Sequence, residues 1–431
     1  MTSTIAAQST PVGRGAIAII RLSGPDSEKI LKSCFKPLSG KKMTASHLTL
    51  GTLEAGEIKD RAMAVLFKAP ISYTGEDMAE IHVHGSQEIA TKTLQFLLKN
   101  GARLAESGEF TRRAFLSGKI GLNEAEAVGD LINARSTAQI NAAYSALSGA
   151  TSEEIRGIYA GLLDVISSFD AAVDYPEEDV EEMLESEALE KIKELKVRLI
   201  RLARSYEEGA KIKSGIRVAI IGEPNAGKSS LMNRLLGRDR AIVTAVPGTT
   251  RDTLEETFEH KGMLFVLVDT AGLHETSDVV ESEGIRRARA ELDSADIILR
   301  LAESGKSRPD ITGKLIIDVS SKSDIAKGDG LNVSSVSGEG IEELKDLMFE
   351  TASSGQVYGG GVVLTSERSY SLTLRALSSI KDAIDEMERA SLVDLSIIYL
   401  KEAARFVGDI IGASAGEDTL NAIFSKFCVG K

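Results

Sequence analysis

The sequence has only two cysteines, Cys34 and Cys428. Two cannot make a disulfide framework, so a reducing cytosol is the compartment we expect. It has no apolar run near the roughly 18 residues of a membrane span, and its first residues lack the pattern of a secretory signal. Positive charge is also scarce, with 51 Lys and Arg against 64 Asp and Glu and a net charge of −13. This balance argues against a protein that coats nucleic acid non-specifically, although it leaves room for a local basic patch.

With 431 residues, 42% hydrophobic and 27% charged, the chain has the composition of a globular protein of about two or three domains. Residues 1–117 mix strand-type apolar runs with helical spacing. In 118–213, apolar residues recur at helical spacing. A βαβ pattern fills 214–354, and 355–431 is helical again after a glycine-rich linker. We therefore predict an α/β and α multidomain protein, in which a domain with a doubly wound sheet is inserted into a helical domain that follows an N-terminal α/β domain.

A glycine-rich segment at residues 222–229, GEPNAGKS, matches the phosphate-binding loop pattern. Its glycines allow consecutive backbone N–H groups to turn inward around a β-phosphate. Lys228 would then neutralise β- and γ-phosphate oxygens, and Ser229 would place its hydroxyl on Mg²⁺. An apolar strand pattern at 217–221 precedes the loop and a helical pattern at 230–236 follows it, which is the context that the motif requires.

Two further segments of nucleotide-site type follow in order. A strand pattern at 263–268 ends in Asp-Thr-Ala-Gly at 269–272, where Asp269 would hold Mg²⁺ through water and Gly272 would sense the γ-phosphate. Between this motif and the phosphate loop lies PGTTRD at 247–252, from which a threonine could reach Mg²⁺ only while the γ-phosphate is present. Three such elements in this order favour a nucleotide site over an incidental glycine turn.

Base selectivity depends on a weaker motif. A guanine site usually has Asn-Lys-x-Asp after a strand, and here the residues are Ser321, Lys322 and, two positions on, Asp324. Asp324 can accept from guanine nitrogens and Lys322 can lie along the base, but Ser321 is too short to replace every bond of an asparagine. We predict that guanine specificity is kept with reduced affinity. The last loop, at 334–338, is altered, and 296–314 looks too short for the usual peripheral helix.

Leu273 stands after the Asp-x-x-Gly motif, where many switch GTPases place a glutamine that orients water. Another group must therefore orient water and neutralise charge. Asn225 suggests a bound monovalent cation in place of an arginine finger, with backbone carbonyls around 244–249 completing its shell. Glu281 could act through a bridging water, although position alone favours a solvated helix charge.

Several segments together resemble the MnmE (TrmE) family of tRNA-modifying GTPases over nearly the whole chain. They are residues 9–15, 21–25, 72–77, 80–85, 108–115, 124–127, 225–230 and 427–431. The ending is specific, because a helix followed by Cys-x-Gly-Lys at the chain terminus is rarely seen elsewhere.

The resemblance implies an N-terminal α/β domain that dimerises and binds 5-formyl-tetrahydrofolate or a related tetrahydrofolate, a helical domain and an inserted G domain. It implies a heterotetramer of this homodimer with the FAD-dependent protein MnmG (GidA). Together they would add an aminomethyl or carboxymethylaminomethyl group at C5 of the wobble uridine of certain tRNAs. It further implies K⁺-dependent GTP hydrolysis that is activated when two G domains meet.

The resemblance also implies roles for individual residues. The folate contacts would be Arg21, Glu80, Lys119 and Lys431, each of which alone could equally be a surface ion-pair residue. The GTP contacts would be Asn225, Ala226, Gly227, Lys228, Ser229, Ser230, Thr244, Ala245, Val246, Pro247, Gly248, Thr249, Thr250, Asp269, Thr270, Ala271, Gly272, Ser321, Lys322, Asp324, Ser334, Ser335 and Val336.

Among the same residues, the Mg²⁺ ligands would be Ser229 and Thr250, and the K⁺ site would comprise Asn225, Thr244, Val246 and Thr249. Glu281 matches the catalytic glutamate of the family.

Cys428 is open to two interpretations, a nucleophile near the folate or a small residue packed near a dimer seam. We interpret Cys34 as a core residue. The departures Ser321 and Val336 put GTP affinity in doubt and leave the phosphate and folate matches untouched.

Two other interpretations compete with a modification enzyme. One is a regulatory GTPase whose N-terminal domain is only an interaction module. The acidic chain, without a basic RNA-binding tail, disfavours it. The other is a folate-binding protein with a weakened G domain, which the altered guanine motif favours slightly.

Overall fold

A computed structural model describes residues 3–174, 178–237, 256–268, 292–308, 315–353, 362–389, 393–413 and 416–431, with side chains apart from those of 172–185 and 393–394. The chain divides into two compact units. The first comprises Met1–Gly129, Ala146–Leu199 and Leu372–Lys431, and the second comprises Asp130–Ser145 and Ile200–Ser371. The domain boundaries after residues 117, 213 and 354 stay predictions.

A seven-stranded sheet forms the N-terminal part of the first unit. Its strands are β1 (Ile5–Gln8), β2 (Ile17–Ser23), β3 (Phe35–Pro37), β4 (Thr49–Ala55), β5 (Ile58–Phe67), β6 (Met78–His84) and β7 (Arg103–Leu104). They lie in the order β3-β4-β5-β6-β2-β1-β7, antiparallel except for the pair β1–β7. Because successive strand residues point to opposite faces, one face packs a core that includes Ile20, Ile81 and Leu97 under the helices α1 (Ser27–Cys34) and α2 (Gln87–Lys99).

The remaining helices are α3 (Glu109–Leu116), α4 (Leu122–Asn133), α5 (Thr137–Leu147), α6 (Ala150–Asp174), α7 (Glu178–Ser214), α8 (Lys228–Leu235), α9 (Ile341–Ser353), α10 (Glu367–Glu388), α11 (Val393–Ile411) and α12 (Glu417–Phe424). α6 packs along α11 within the first unit. In α7 the buried residues Ile192, Leu195 and Leu199 recur at helical spacing, as predicted. Within the described residues, no helix is long and apolar enough to cross a membrane.

The second unit contains a doubly wound sheet, and the predicted fold class is confirmed. Its strands are β8 (Ile216–Gly222), β9 (Glu256–His260), β10 (Met263–Val268), β11 (Ile297–Glu303), β12 (Leu315–Ser321) and β13 (Leu331–Asn332). The order is β13-β12-β11-β8-β10-β9, and only β9 is antiparallel to its neighbour. Its core joins sheet residues such as Val218 and Phe265 to Leu231 of α8 and Leu344 of α9. Because the order reverses at β8, a crevice opens at the carboxyl end of that strand, which is where such sheets bind ligands.

The connection from β11 to β12 is unusually short. Parallel neighbours need a crossover of a dozen or more residues, usually a helix, and the described part of this one, 304–308, contains a turn and no helix. On the face that such a helix would cover, Arg300 and Asp318 lie opposite each other across the strands, with 2.7 Å between Nε and Oδ1. The polar pair suits a sheet face left to solvent, in agreement with the predicted loss of one peripheral helix.

Candidate functional site

The phosphate-binding loop joins β8 to α8. β8 ends at Gly222 and α8 begins at Lys228, in agreement with the motif. Asn225 and Gly227 have left-handed backbone conformations, with φ of 64° and 93°, and Ala226 is buried in the core. These turns lead the chain to the N-terminus of α8, where free N–H groups and the helix dipole favour a phosphate.

Lys228 lies across its own loop. Its Nζ donates to the carbonyl oxygens of Gly222 at 2.7 Å and Glu223 at 3.1 Å. Ser229 follows in the first turn of α8 and is exposed at least in part, as are Ser230 and Asn225. The positive charge and the hydroxyl therefore lie at the position where the motif requires them, and their contacts with nucleotide and Mg²⁺ stay predictions.

The other predicted phosphate-site and cation-site residues belong to two stretches of sequence, one before β9 and one after β10. β9 begins at Glu256 and β10 ends at Val268. The residues themselves lie outside the described part of the chain, namely Thr244, Ala245, Val246, Pro247, Gly248, Thr249, Thr250, Asp269, Thr270, Ala271, Gly272, Leu273 and Glu281. Their roles stay predictions.

Ser321 ends β12 beside the phosphate loop. A Cβ atom placed on Gly227 would lie 4.0 Å from the Cβ of Ser321, so the two predicted nucleotide loops are adjacent. The Ser321 side chain is buried, and its hydroxyl donates to the carbonyl oxygen of Ala302 at 3.3 Å. The Ser321 hydroxyl thus donates to the neighbouring strand β11, which agrees with the prediction that Ser321 cannot make every bond of an asparagine to the base.

The rest of the base loop is held by side-chain bonds. The hydroxyl of Ser334 donates to Oδ1 of Asp324 at 2.5 Å and accepts from the backbone N–H of Val336 at 3.3 Å. Lys322 has φ of 58° and pairs with Glu303 at the end of β11. Val336 is 82% exposed, so the last loop presents an apolar side chain to solvent. Ser335 belongs to the same turn.

A second candidate site lies in the first unit and centres on an ion pair. Arg21 of β2 and Glu80 of β6 are opposite each other in the antiparallel register, with 2.8 Å between Nε and Oε1. Both side chains are more than four-fifths buried. The Arg21 guanidinium lies 5.5 Å from the ring centre of Tyr73 and 5.6 Å from that of Phe110. These aromatic contacts hold the cation at the sheet surface.

His82 and Tyr73 are site residues that the sequence reasoning missed. The His82 ring nitrogen Nε2 lies 3.4 Å from Oε2 of Glu80. Hydrogen bonding to His82, together with the charge of Arg21, keeps the pKa of Glu80 below its ordinary value although burial opposes this. Burial raises the pKa of Tyr73, whose hydroxyl lies 2.9 Å from that of Thr111. The signal for His82 was present in the sequence, since residues two apart on a strand share a face.

The C-terminal tail is fastened to the N-terminal sheet. The carbonyl of Lys431 accepts from the backbone N–H of Phe110 at 3.2 Å, and the carbonyl of Gly430 accepts from the Ser9 hydroxyl at 3.1 Å. Gly430 has φ of 96°, and a Cβ there would lie 2.4 Å from the carbonyl oxygen of Gln8. Only glycine permits this close approach.

The docked tail brings Lys431 near Arg21, since its carbonyl oxygen is bonded to Phe110, whose ring centre lies 5.6 Å from the Arg21 guanidinium. Burial, followed by repulsion from Arg21, lowers the pKa of Lys431, while Glu80 and Cys428 act in the opposite direction. Three of the four predicted folate residues are therefore close enough to interact electrostatically.

A cleft of about 370 Å³ opens beside Glu80. The residues that line it are Ser46, Phe67, Ile71, Ser72, Tyr73, Met78, Glu80 and Lys119. Lys119, the fourth predicted folate residue, donates from Nζ to the carbonyl of Pro70 at 3.1 Å. The cleft combines apolar walls with the Glu80 carboxylate and the Lys119 ammonium, and a few polar groups in a mainly apolar lining are usual for a small-molecule site.

The two cysteines differ in environment. Cys34 is buried in the core, and burial raises its pKa to about 12, so it is an inert thiol. Cys428 is exposed and lies close enough to Lys431 to affect its titration. Both interpretations of Cys428 remain.

Comparisons with known proteins extend over both units. The family description "MnmE helical domain" matches residues 122–428, and "GTP-binding protein TrmE N-terminus" matches residues 4–119. A tRNA modification GTPase MnmE of Acetivibrio thermocellus is 37% identical over 99% of this chain and 99% of its own length. That of Akkermansia muciniphila is 38% identical, over 99% of each chain. Among solved structures, the G domain of the T. maritima FeoB iron transporter is 29% identical over 32% of this chain and 98% of its own, with a TM-score of 0.24.

Fold and sites together define a P-loop G domain carried by a chain that also has an α/β sheet domain and long helices. The chain belongs to the MnmE family of tRNA modification GTPases, which confirms the resemblance found in the sequence. The alignment with the A. thermocellus relative spans 454 positions, more than the length of this chain. That relative therefore has residues without a counterpart here.

Proposed function

We propose that this chain hydrolyses GTP and, with a bound tetrahydrofolate, modifies tRNA. Together with the FAD-dependent protein MnmG (GidA), it would add an aminomethyl or carboxymethylaminomethyl group at C5 of the wobble uridine of certain tRNAs. The observation that carries the proposal is the buried Arg21–Glu80 pair beside a cleft that Glu80 and Lys119 line. The backbone of Lys431 is bonded to Phe110, whose ring centre lies 5.6 Å from the Arg21 guanidinium. The four predicted folate residues come from four separate segments, and one family resemblance implied all of them.

The chemistry of the cleft suits a folate. Arg21, Lys119 and Lys431 would attract the glutamate carboxylates, and Glu80 would accept from pterin-type N–H donors. A volume of about 370 Å³ is within the usual range of roughly 300–1,000 Å³ for small-molecule sites. The rings of Tyr73 and Phe110 keep the Arg21 guanidinium in place before a ligand arrives.

Calorimetric titration of the full chain with 5-formyl-tetrahydrofolate tests this part. We expect Arg21→Ala to weaken binding by about 10- to 100-fold, since a hydrogen bond to a charged group contributes about 1.5–3 kcal/mol. Arg61→Ala is the matched control, because it removes an exposed arginine from β5 of the same sheet. Equal affinity in wild type and Arg21→Ala would contradict the folate assignment.

The modification itself is tested by reconstitution. The chain, MnmG, GTP, the folate and unmodified tRNA are combined, and wobble uridine is measured by nucleoside analysis. We expect modified uridine only when all components are present. Failure to bind either the folate or MnmG in a pull-down would favour a regulatory GTPase instead.

The nucleotide part of the proposal has support from the loop geometry. Asn225 and Ser229 are accessible beside the N-terminus of α8, so an amide oxygen and a hydroxyl are available for K⁺ and Mg²⁺. When bound, these cations would neutralise phosphate charge and replace an arginine finger. Thr244, Val246, Thr249, Thr250 and Glu281 would complete the site.

Homodimerisation through the N-terminal domain also belongs to the proposal. On the sheet face turned away from α1 and α2, the strand residues Ile17 and Leu50 are each 51% exposed. These two side chains lie on strands separated by β5 and β6, and burial of both in a dimer would remove them from water. A single species with the mass of one chain in sedimentation would contradict this part.

One observation favours a second candidate, a folate-binding protein with a weakened G domain. The hydroxyl of Ser321 donates to the carbonyl oxygen of Ala302 within the sheet, so its proton would not be available to a bound base. GTP turnover in K⁺ and in Na⁺ buffers separates the two. Acceleration by K⁺ alone supports the cation-assisted enzyme, and absence of turnover in both salts supports the second candidate.

A further inference from the structure

The strand pair β9–β10 lies in the sequence between the two segments, 247–252 and 269–272, that are predicted to sense the γ-phosphate. β9 lies a few residues after the 247–252 segment, and β10 runs directly into 269–272. A change in either loop would therefore act on this pair of strands. The turn at the far end of the pair, residues 260–262, is the place from which such a change could reach another element.

The turn is bonded to the N-terminus of α5. The backbone N–H and hydroxyl of Thr137 donate to Oε1 of Glu259, at 3.1 and 2.8 Å. The N–H of Ala138 donates to the carbonyl of Gly262 at 2.9 Å. The N–H of Gln139 donates to the hydroxyl of Ser136 at 3.3 Å.

These bonds account for the first three N–H groups of α5, which have no partner within the helix. Ser136 satisfies one, as an N-cap serine does. The other two are satisfied by Glu259 and Gly262, so two of these three N–H groups depend on the β9–β10 pair and its turn. The carboxylate of Glu259 also lies at the positive end of the helix dipole.

α5 is in turn connected to the segment that precedes the phosphate loop. Gln139 donates from Nε2 to the carbonyl of Lys213 at 2.9 Å, near the end of α7. Lys213 pairs with Asp130 of α4, with 2.7 Å between Nζ and Oδ1. The turn, the start of α5 and the ends of α4 and α7 thus form one bonded set within the second unit.

The opposite side of the turn is bonded to α9. Asp346 accepts from Lys261 at 2.8 Å and lies 2.6 Å from Nε2 of His260. These bonds join parts of the G domain to one another and do not involve α5. Asp346 is therefore a matched control for Glu259, because each carboxylate connects this strand pair to one helix, Asp346 to α9 and Glu259 to α5.

We propose that Glu259 is a positioning residue through which the nucleotide state of the G domain acts on α5. This inference rests on the proposed function, since it needs the switch loops at 247–252 and 269–272. With the strand pair in one position the first turn of α5 is capped, and with the pair displaced it frays. The chain continues from α5 into the long helix α6, so the cap stands at the start of the helical segment.

Hydrogen exchange of the full chain tests the inference, with GDP and with the β,γ-imido analogue of GTP, each with Mg²⁺ and KCl. In the wild type we expect the amides of 137–140 to exchange at rates that differ by roughly fivefold or more between the nucleotides, the lower end of usual allosteric coupling. In Glu259→Ala the amides of 137–140 should exchange faster with either nucleotide, and the rate difference between the two nucleotides should vanish. Glu259→Gln keeps an acceptor oxygen, so the rate difference should return in that variant. Asp346→Ala should keep the difference.

Linkage provides a second measurement. If the cap favours one nucleotide state, its removal must change the ratio of GDP to analogue affinity by the same factor as the exchange difference. The inference is supported if the ratio of GDP affinity to analogue affinity changes in Glu259→Ala and stays at the wild-type value in Asp346→Ala. If Glu259 had only a structural role, the ratio would be unchanged in both variants. Nucleotide binding without any change at 137–140 would overturn the inference and leave the GTPase intact. Absence of nucleotide binding would overturn both.

Discussion

The two candidate sites of this protein are built in opposite ways. The phosphate loop is eight consecutive residues, 222–229, whose geometry depends on local backbone angles such as those of Asn225 and Gly227. The candidate site of the first unit combines the Arg21–Glu80 pair of β2 and β6 with a cleft that Lys119, from the loop after α3, also lines. In the proposed function, the first site would recognise its ligand mainly with backbone N–H groups, and the second mainly with charged side chains.

This contrast determines which changes each site tolerates. A loop that binds through its backbone keeps its shape while its glycines and its lysine remain. A cleft assembled from distant segments depends on strand register and on a docked tail. Four substitutions test the contrast, in order of decreasing expected effect.

Lys228→Ala should have the largest effect. Loss of the ammonium from the loop should weaken binding of GTP by about 10- to 100-fold, because a hydrogen bond to a charged group contributes about 1.5–3 kcal/mol. Folate affinity should not change. Fluorescent-nucleotide titration measures the first and calorimetry the second, with Lys327→Ala, an exposed lysine, as control. If Lys228→Ala weakened the binding of GTP and of the folate to a similar degree, the two sites would not be independent.

Gly430→Ala should act on the cleft alone. The added Cβ would approach the carbonyl of Gln8 to 2.4 Å at a positive φ, so the tail must move at a cost of about 2 kcal/mol. We expect weaker folate binding and unchanged GTP turnover.

Gly101→Ala is the control for this substitution. Gly101 also has a positive φ, of 107°, but its Cβ would meet no atom within 4 Å. Its folate affinity should stay at the wild-type value. If Gly430→Ala also bound the folate with wild-type affinity, the docked tail would not be needed for folate binding.

Glu80→Gln should show a pH-dependent effect. The pKa of Glu80 is below its ordinary value of 4.5, so the charged form stabilises the folded state. This contribution to stability is present above pH 4.5 and is lost as the pH falls through the pKa of Glu80 in the folded state, which is below 4.5. Urea unfolding should show Glu80→Gln less stable than wild type by about 1 kcal/mol at about pH 7, with the gap in unfolding free energy closing as the pH falls below 4.5. A gap that stays the same at about pH 7 and in acid would contradict the charge argument. Glu57→Gln, at an exposed turn, is the control.

Ser321→Asn should have the smallest effect, and in the favourable direction. A side chain long enough to bond beyond the sheet should strengthen GTP binding by about three- to tenfold, the value of one net hydrogen bond of about 0.5–1.5 kcal/mol. Competition between GTP and ATP measures whether selectivity rises with affinity. ATP binding as tight as GTP binding in the wild type would contradict guanine specificity itself.

Sequence reasoning predicted the second unit in most respects. The strand before the loop, the helix after it and the short β11–β12 connection all have local signals, since strand and helix periods and glycine positions are visible in consecutive residues. It missed His82 and Tyr73, although His82 shares a strand face with Glu80. The division of the chain at residues 130–145, where a helical segment joins the G-domain unit, had no local signal.

The class of protein, the phosphate loop and the weakened base motif could all be read from the sequence, because each depends on residue types at fixed short spacing. Tertiary structure was needed to show that the last residue of the chain is bonded to the backbone of Phe110, whose ring contacts Arg21. It was also needed to show that Glu259 caps α5 across 122 positions of sequence. Such contacts depend on strand register, tail docking and the packing of one element against another, and none of these leaves a pattern in neighbouring residues.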